Sequence, residues 1–476
     1  MYGSDSTLQD FEKAYQKFLQ EAEQGNGFAM HDLGRMFADG LGRDADVGLA
    51  QKWYEKAAHW FSQAAAMDHK YAQYSLAGLY RRGRGVEQND IRAFSLYMSS
   101  AEQGNPYASL ELAKMYRDGF GTEPDLQQAE WRFQNAYSGF VVLEEKSHDD
   151  KLQYRIGQML HTGTGTSKDD EGAARYWEKS AKLGNINAQY ALGTLWLETG
   201  SGDSGQAVEW LTKAANAEHS AAQYVLGKLY QDGVYFNKDM DQAMKWFRSA
   251  AELGNEYAAY RMGCLLLLGE EIPKDVEAAV KWLSLSAEKG NPYAQYRLGM
   301  LYLKGEEFSP QVEVAMKWLQ QAAEQKNEWA FYQLGKLYLS GEHVTKNVET
   351  AVHYLGLCAE KGNQYAQYVL GKLYLCGRDV SRDREKAVEY LTASAEQGNL
   401  YASFLLEHLD AYQDPSLFLA ATRLLHHLEK LFCEEVQRPM EMKRYQIDRK
   451  RRRKLSEKKQ AQGHHREDQE PAQGIY

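Results

Sequence analysis

Tyr293–Lys304 reads Y-A-Q-Y-R-L-G-M-L-Y-L-K, and Tyr365–Cys376 repeats it as Y-A-Q-Y-V-L-G-K-L-Y-L-C. Aligning the chain on the small residue of this phrase gives Gly34, Ala77, Ala113, Gly157, Gly193, Gly227, Gly263, Gly299, Gly335 and Gly371. The successive intervals are 43, 36, 44, 36 and 34, then 36 throughout. A second phrase lies between the copies and carries Trp210, Trp246, Trp282 and Trp318, continued in register by Tyr354 and Tyr390. A fixed period of this length marks a stacked array, in which no unit hides its own apolar face and each leans on its neighbours.

Each unit reads as two helices. Tyr293, Tyr296, Leu298, Gly299, Leu301 and Tyr302 recur at steps of three and four, with Pro292 suited to the first turn and Gly305 to the stop. Val312, Ala315, Met316, Leu319, Ala322 and Ala323 mark a second helix on the same period. A Gly-Asn pair often follows, as at Gly290-Asn291 and Gly362-Asn363, and supplies the left-handed residue that ends a helix. No segment alternates as a strand does.

The small residue implies a steric demand, because glycine inside a helix costs about 1 kcal/mol against alanine. The Trp/Tyr register reads as inter-helix core, with an aromatic ligand groove as the alternative. The 43- and 44-residue intervals exceed the common 36 by nearly two helical turns, which lengthened second helices near Ala57–Met67 and Tyr137–Lys151 would absorb. Phe11–Gln24 matches a second helix, so the chain opens on a half-unit, either a cap or the cut edge of a longer polypeptide. Asp414 and Pro415 open a last helix with Leu417, Ala421, Leu424, Leu425, Leu428, Leu431 and Phe432 on one face, which reads as a C-terminal cap. The expected architecture is all-α: an α/α superhelical solenoid of about ten to eleven repeats. Residues 1–24 form the half-repeat, 25–410 the solenoid, 411–437 the capping helix and 438–476 a basic, mostly disordered tail.

The phrases A-x-Y-x-L-G-x-L-Y and A-x-x-W-x-x-x-A-A, with the Gly-Asn pair, resemble the Sel-one-like repeat, a relative of the tetratricopeptide repeat. The resemblance covers about Phe11–Leu409. It implies a superhelix with a concave face, used as a scaffold or adaptor for proteins, and no enzyme activity. The tail carries a second resemblance. Leu417–Leu428 (L-F-L-A-A-T-R-L-L-H-H-L) and Ile447–Lys459 (I-D-R-K-R-R-R-K-L-S-E-K-K) look like the carboxyl terminus of mobilisation relaxases of conjugative elements. That likeness implies an accessory portion of such a protein. The catalytic Tyr or Ser and the histidine cluster of a relaxase have no counterpart upstream of the array.

Composition closes off other classes. At 43% hydrophobic the chain is too apolar for a disordered one, and it has no apolar run long enough to span a membrane. Four scattered cysteines (Cys264, Cys358, Cys376, Cys433) make no disulfide framework, and those in the array read as buried and inert. No catalytic or metal-binding spacing occurs, so neither an enzyme nor a cofactor is expected, and no small-molecule substrate. Gly83-Arg84-Gly85, Gly119-Phe120-Gly121 and Gly163-Thr164-Gly165 follow helices and read as turns rather than phosphate loops. A cytoplasmic location is expected.

Two features carry the expected function. In tetratricopeptide-like arrays the first helices line the concave face, and their polar positions are the candidates for gripping a protein partner. These are Lys114, Lys228, Lys336 and Lys372, each directly after the small residue, with Gln73, Gln189, Gln223, Gln295, Gln333 and Gln367. The second feature is charge. Arg438–Arg466 holds twelve Lys/Arg against three acids, a net +9 that leaves −19 on the rest of a chain of net −10. Arg449, Lys450, Arg451, Arg452, Arg453 and Lys454 could neutralise phosphates of DNA without sequence preference. A solvated tail, contact with the acidic array, or a nuclear address are the other readings. The acidic array itself favours a basic partner protein over nucleic acid.

Overall fold

The computed structural model describes residues 4–409 apart from 43, 201–203 and 306–308. The expected capping helix, the basic tail and Cys433 lie outside the described residues. Among the described residues there are twenty-two α-helices and no strand, and the chain is an all-α solenoid. It divides into two compact units, residues 1–282 and 283–476.

The first unit opens with α1 (Ser4–Glu23), α2 (Gly27–Asp39), α3 (Val47–Ala66), α4 (Lys70–Arg82), α5 (Asp90–Glu102), α6 (Pro106–Asp118) and α7 (Leu126–Ser147). It continues through α8 (Asp150–Thr162), α9 (Asp170–Lys182), α10 (Ile186–Thr199), α11 (Ser204–Asn216), α12 (Ser220–Asp232), α13 (Met240–Glu252) and α14 (Glu256–Leu268). The boundary falls inside α15 (Val276–Glu288). The second unit then holds α16 (Pro292–Lys304), α17 (Val312–Glu324), α18 (Glu328–Ser340), α19 (Val348–Glu360), α20 (Gln364–Cys376), α21 (Arg384–Glu396) and α22 (Leu400–Glu407). Even-numbered helices from α2 to α20 are the first helices of ten pairs. Within each unit the substantial packing runs between helices adjacent along the chain, as a linear array requires.

The pattern of small residues follows from how the two helices of a pair approach. An ideal Cβ on Gly299 of α16 would lie 2.7 Å from Leu319 Cγ of α17, and one on Gly371 of α20 would lie 2.7 Å from Leu391 Cγ of α21. Gly227 of α12 faces Phe247 in the same way, at 2.6 Å. The partners Leu211, Phe247, Leu319, Leu355 and Leu391 are wholly buried, and each lies one residue past the Trp/Tyr register. That register itself is half-buried: Trp210, Trp246, Trp318, Tyr354 and Tyr390 flank the core rather than fill it. Tyr354 and Tyr390 stack on Tyr338 and Tyr374 of the helix before, with interplanar angles of 10° and 5°.

The two long intervals are lengthened second helices: α3 has 20 residues and α7 has 22, against 13 in α5, α9, α13, α17, α19 and α21. The Gly-x-Gly segments are turns. An ideal Cβ on Gly85 would sit 2.4 Å from the Tyr54 carbonyl oxygen of α3, so the second glycine seats one pair on the backbone of the pair before it. The Gly-Asn pair divides its labour in a way the sequence reading merged. Gly290 holds the left-handed backbone (φ 94°), while Asn291 begins the next helix as its N-cap, accepting from the Tyr293 and Ala294 N–H groups at 3.0 Å. Where the glycine is missing, Asp68, Glu218 and Lys326 take φ of 58°, 60° and 62°.

Candidate partner-binding face

The glutamines fall into two sets. Gln73, Gln189, Gln223, Gln295 and Gln367 stand four residues before the small residue, which on a helix is the same face. All five are buried, between 3% and 8% exposed. Their Nε2 groups donate to the last carbonyls of the preceding second helix: Gln189 to Ala181 O at 3.3 Å, Gln223 to Ala215 O at 3.0 Å, Gln295 to Ala287 O at 3.1 Å and Gln367 to Ala359 O at 3.2 Å. The expectation that Gln223, Gln295 and Gln367 offer amides to a partner is therefore corrected. They close open helix ends inside the stack, where an unmet carbonyl would be costly. Gln333 stands two residues before Gly335, out of that register, and is half-buried. Phe331 fills the inward position in its repeat, 5% exposed.

A further amide rests on this row. Gln103, Gln325 and Gln397, at the ends of α5, α17 and α21, each donate through Nε2 at 2.8 Å to Oε1 of Gln73, Gln295 and Gln367. In two repeats the donor is replaced by leucine, Leu183 and Leu253. There the corresponding oxygens, Gln153 Oε1 and Gln223 Oε1, are buried with no hydrogen-bond partner.

The lysines reach the surface. Lys228 is exposed, and Lys114, Lys336 and Lys372 are half-buried. Lys114 Nζ is held 2.6 Å from Glu111 Oε1. The others lie over the tyrosine one turn earlier on the same helix: Lys228 over Tyr224 at 5.9 Å, Lys336 over Tyr332 at 5.7 Å and Lys372 over Tyr368 at 5.8 Å from the ring centroid. Such pairs contribute about 0.5–1 kcal/mol at exposed sites. The row is interrupted, since Thr194, Cys264 and Met300 hold the same position elsewhere.

The tyrosines form a row that the sequence reading missed. Tyr74, Tyr224, Tyr332 and Tyr368 pair with Tyr107, Tyr257, Tyr365 and Tyr401 of the next first helix, with centroids 6.2, 6.4, 6.3 and 6.1 Å apart. Tyr257 remains 52% exposed. Burial raises the Tyr74 and Tyr224 phenols above their ordinary range, so they stay neutral. The signal was present in the Y-A-x-Y spacing of the repeated phrase. Among the cysteines, Cys358 is wholly buried, whereas Cys264 and Cys376 are half-buried. Arg449, Lys450, Arg451, Arg452, Arg453 and Lys454 lie outside the described residues.

The model of the Sel1 repeat matches this chain over 27–59, 55–69, 70–105, 106–131, 151–185, 186–219, 220–255, 256–291, 292–327, 330–363 and 364–399. The chain belongs to the Sel1 repeat family. Eleven segments match ten helical pairs, because the first two, 27–59 and 55–69, overlap within the long α3 and together cover the one pair α2 and α3. Sel1 repeat proteins act as protein-interaction scaffolds or regulators. A solved structure of a protective antigen present in uropathogenic Escherichia coli strains, which displays an SLR fold, is similar: 25% identity, TM-score 0.50, over 86% of this chain and 93% of that one. An exopolysaccharide production negative regulator of Rhizobium meliloti is 29% identical over 31% of this chain and 57% of its own length. An uncharacterized protein of Neisseria meningitidis is 25% identical over 40% of this chain and 51% of its own. This Sel1 repeat chain thus spans about half the length of the curated relatives it matches. No described helix is long and apolar enough to cross a membrane.

Proposed function

We propose that this Sel1 repeat chain is a non-enzymatic scaffold, working in the cytoplasm, that holds a protein partner against the lysine and tyrosine rows of its first helices. The observation that carries the reading is the Lys-over-Tyr pair repeated on α18 and α20 of the second unit; α12 of the first unit carries the same pair by itself. Inward positions of these helices are spent on packing and on closing helix ends, so specificity falls to what remains outside. Tyrosine supplies large, stiff contact area with a polar tip, and lysine supplies charge for an acidic peptide. The relative named as a negative regulator of exopolysaccharide production supports a regulatory use of the scaffold. Changing Lys336 and Lys372 of the second unit together to alanine tests it. The partner that co-purifies with the wild-type chain from its host is lost, while the melting temperature is kept. Retention of that partner by the double variant refutes the assignment.

A second reading is favoured by the six consecutive basic residues 449–454 in a segment of net +9. It makes the chain an accessory part of a conjugative mobilisation protein, with this segment touching DNA. Six phosphate contacts give a slope of about −5 in log K against log salt. Alanine at all six positions abolishes that binding. Failure of the full chain to bind duplex DNA at low salt removes the reading.

A further inference from the structure

We propose that a gap in the lysine row of the first unit, at Gly78 of α4, is a binding site for a phosphate monoester, held by the Tyr97 hydroxyl from beneath and by Arg82 and Arg155 from the rim. The position directly after the small residue carries a side chain in every other pair, among them Arg35, Lys114, Gln158, Thr194 and Lys228. Gly78 alone leaves it empty. An ideal Cβ built there would lie 3.5 Å from the Tyr97 hydroxyl and 3.5 Å from Arg82 Nη1 and would meet nothing closer. A donor from α5 and a donor from α4 thus converge on the missing side chain.

Tyr97 stands in the inward column that other second helices fill with residues such as Phe133, Phe247 and Leu319. Three members of the column carry a polar atom, and two of them spend it inside the stack. The Tyr54 hydroxyl accepts from Arg84 Nη1 at 3.1 Å, and Trp177 Nε1 donates to Tyr154 O at 3.1 Å. The Tyr97 hydroxyl has no hydrogen-bond partner among the described residues, although the side chain is only 3% exposed. Nor is it sealed in. The fully enclosed polar atoms left without a partner there are Arg132 Nε, Gln153 Oε1, Gln223 Oε1 and Asn291 Nδ2, and the Tyr97 oxygen is not one of them. It therefore opens to solvent at the gap. Burial, with the Glu111 carboxylate adding to it, raises this phenol above its ordinary range, so it keeps its proton and donates.

The charges around the gap favour a dianion. Arg81, Arg82 and Glu111 act on the Tyr97 phenol, and Arg82, Glu111 and Arg155 on that of Tyr74 beside it. Arg81 is held by Asp90 at 3.1 Å, and Glu111 by Lys114 at 2.6 Å. Arg82 makes no ion pair, and Arg155 makes none either, lying over the Tyr107 and Phe140 rings at 5.7 Å. Two unspent guanidinium charges remain. A phosphate monoester carries about −1.5 to −2 near pH 7 and matches them, whereas one carboxylate leaves a guanidinium unmet. The site deepens the reading of this face as a binding surface, but its test needs no protein partner and leaves Lys336 and Lys372 untouched, so either can fail alone.

Calorimetric titration of the full chain with phenyl phosphate and with benzoate, at about pH 7.5, tests the proposal. Phenyl phosphate binds saturably at millimolar concentration, about tenfold or more tightly than benzoate. Tyr97→Phe places here the residue type of positions 133 and 247 and weakens that binding about tenfold, because only the hydroxyl is removed. Gly78→Met places here the residue type of position 300, covers the hydroxyl and abolishes the binding. Both variants melt as the wild type does. Inorganic phosphate and a hexapeptide carrying one phosphoserine distinguish the source: equal binding of the two assigns the free anion, and tighter binding of the peptide assigns a phosphorylated partner. Absence of saturable binding by every phosphate probe, equal binding of benzoate, or an affinity unchanged in either variant overturns the site.

Discussion

Replacing Leu253 by glutamine completes a bond that the repeat makes elsewhere. Leu253 ends α13 with φ −79° and ψ 5°, close to Gln325 at −85° and 14° and Gln397 at −85° and 4°. Those two glutamines donate at 2.8 Å to Gln295 and Gln367, and Gln223 Oε1 waits at the matching place without a donor. A buried acceptor left unmet costs about 1–3 kcal/mol. Ordering a glutamine side chain takes back up to about 1.5–2 kcal/mol. The leucine it displaces is 46% exposed, so little burial is lost. The net expectation is a gain of about 0.5–1 kcal/mol over Leu253→Met, which matches glutamine in length but has no donor. Urea unfolding of both variants, followed by helical circular dichroism, reads the difference as a shift in midpoint. Coincident midpoints would refute the reasoning, because they would mean that the Gln223 oxygen is not in deficit. Leu183→Gln opposite Gln153 is the independent repetition, and the two gains should add.

Lys326→Gly relieves a left-handed lysine that other repeats fill with glycine, and should stabilise by about 1 kcal/mol in the same assay. Gly299→Ala drives a methyl to 2.7 Å from Leu319 and should destabilise by about 1–3 kcal/mol. Cys358 occupies the place of Ser100, Ser180 and Ser394, which donate to a first-helix carbonyl thirty residues earlier, and its Sγ lies 3.2 Å from Glu328 O. Cys358→Ser should therefore fold normally, and the native thiol should react with a thiol reagent only on unfolding. Burial pushes that thiol up to about 12. Its contribution to stability is thus complete below the ordinary thiol range and fades as pH rises from about 9 towards 12. Cys358→Ser should flatten the alkaline loss seen in unfolding midpoints.

The period, the helical pairs, the long α3 and α7 and the close approach at Gly299 were all legible, because each follows from spacing and size alone. The glutamines were legible in principle. Gln295 stands four residues before Gly299 and so shares its inward face, but polarity suggested the surface. The tryptophans erred in the opposite sense, since their bulk suggested the core while Leu319, one residue on from Trp318, holds the inward place. Single-sequence periodicity tolerates that error because a half-buried ring and a buried leucine are neighbours in register. The burial of Arg132 was illegible, since a charged residue in the Trp/Tyr register reads as facing solvent and its enclosure is a fact of three dimensions.

Helices that lean chiefly on the one before and the one after have a mechanical corollary. Within either unit, force applied along the chain has no distant strand or central core to break. Pairs should peel away one at a time, each releasing about the same length, and the two repeats with the long α3 and α7 should give visibly longer steps.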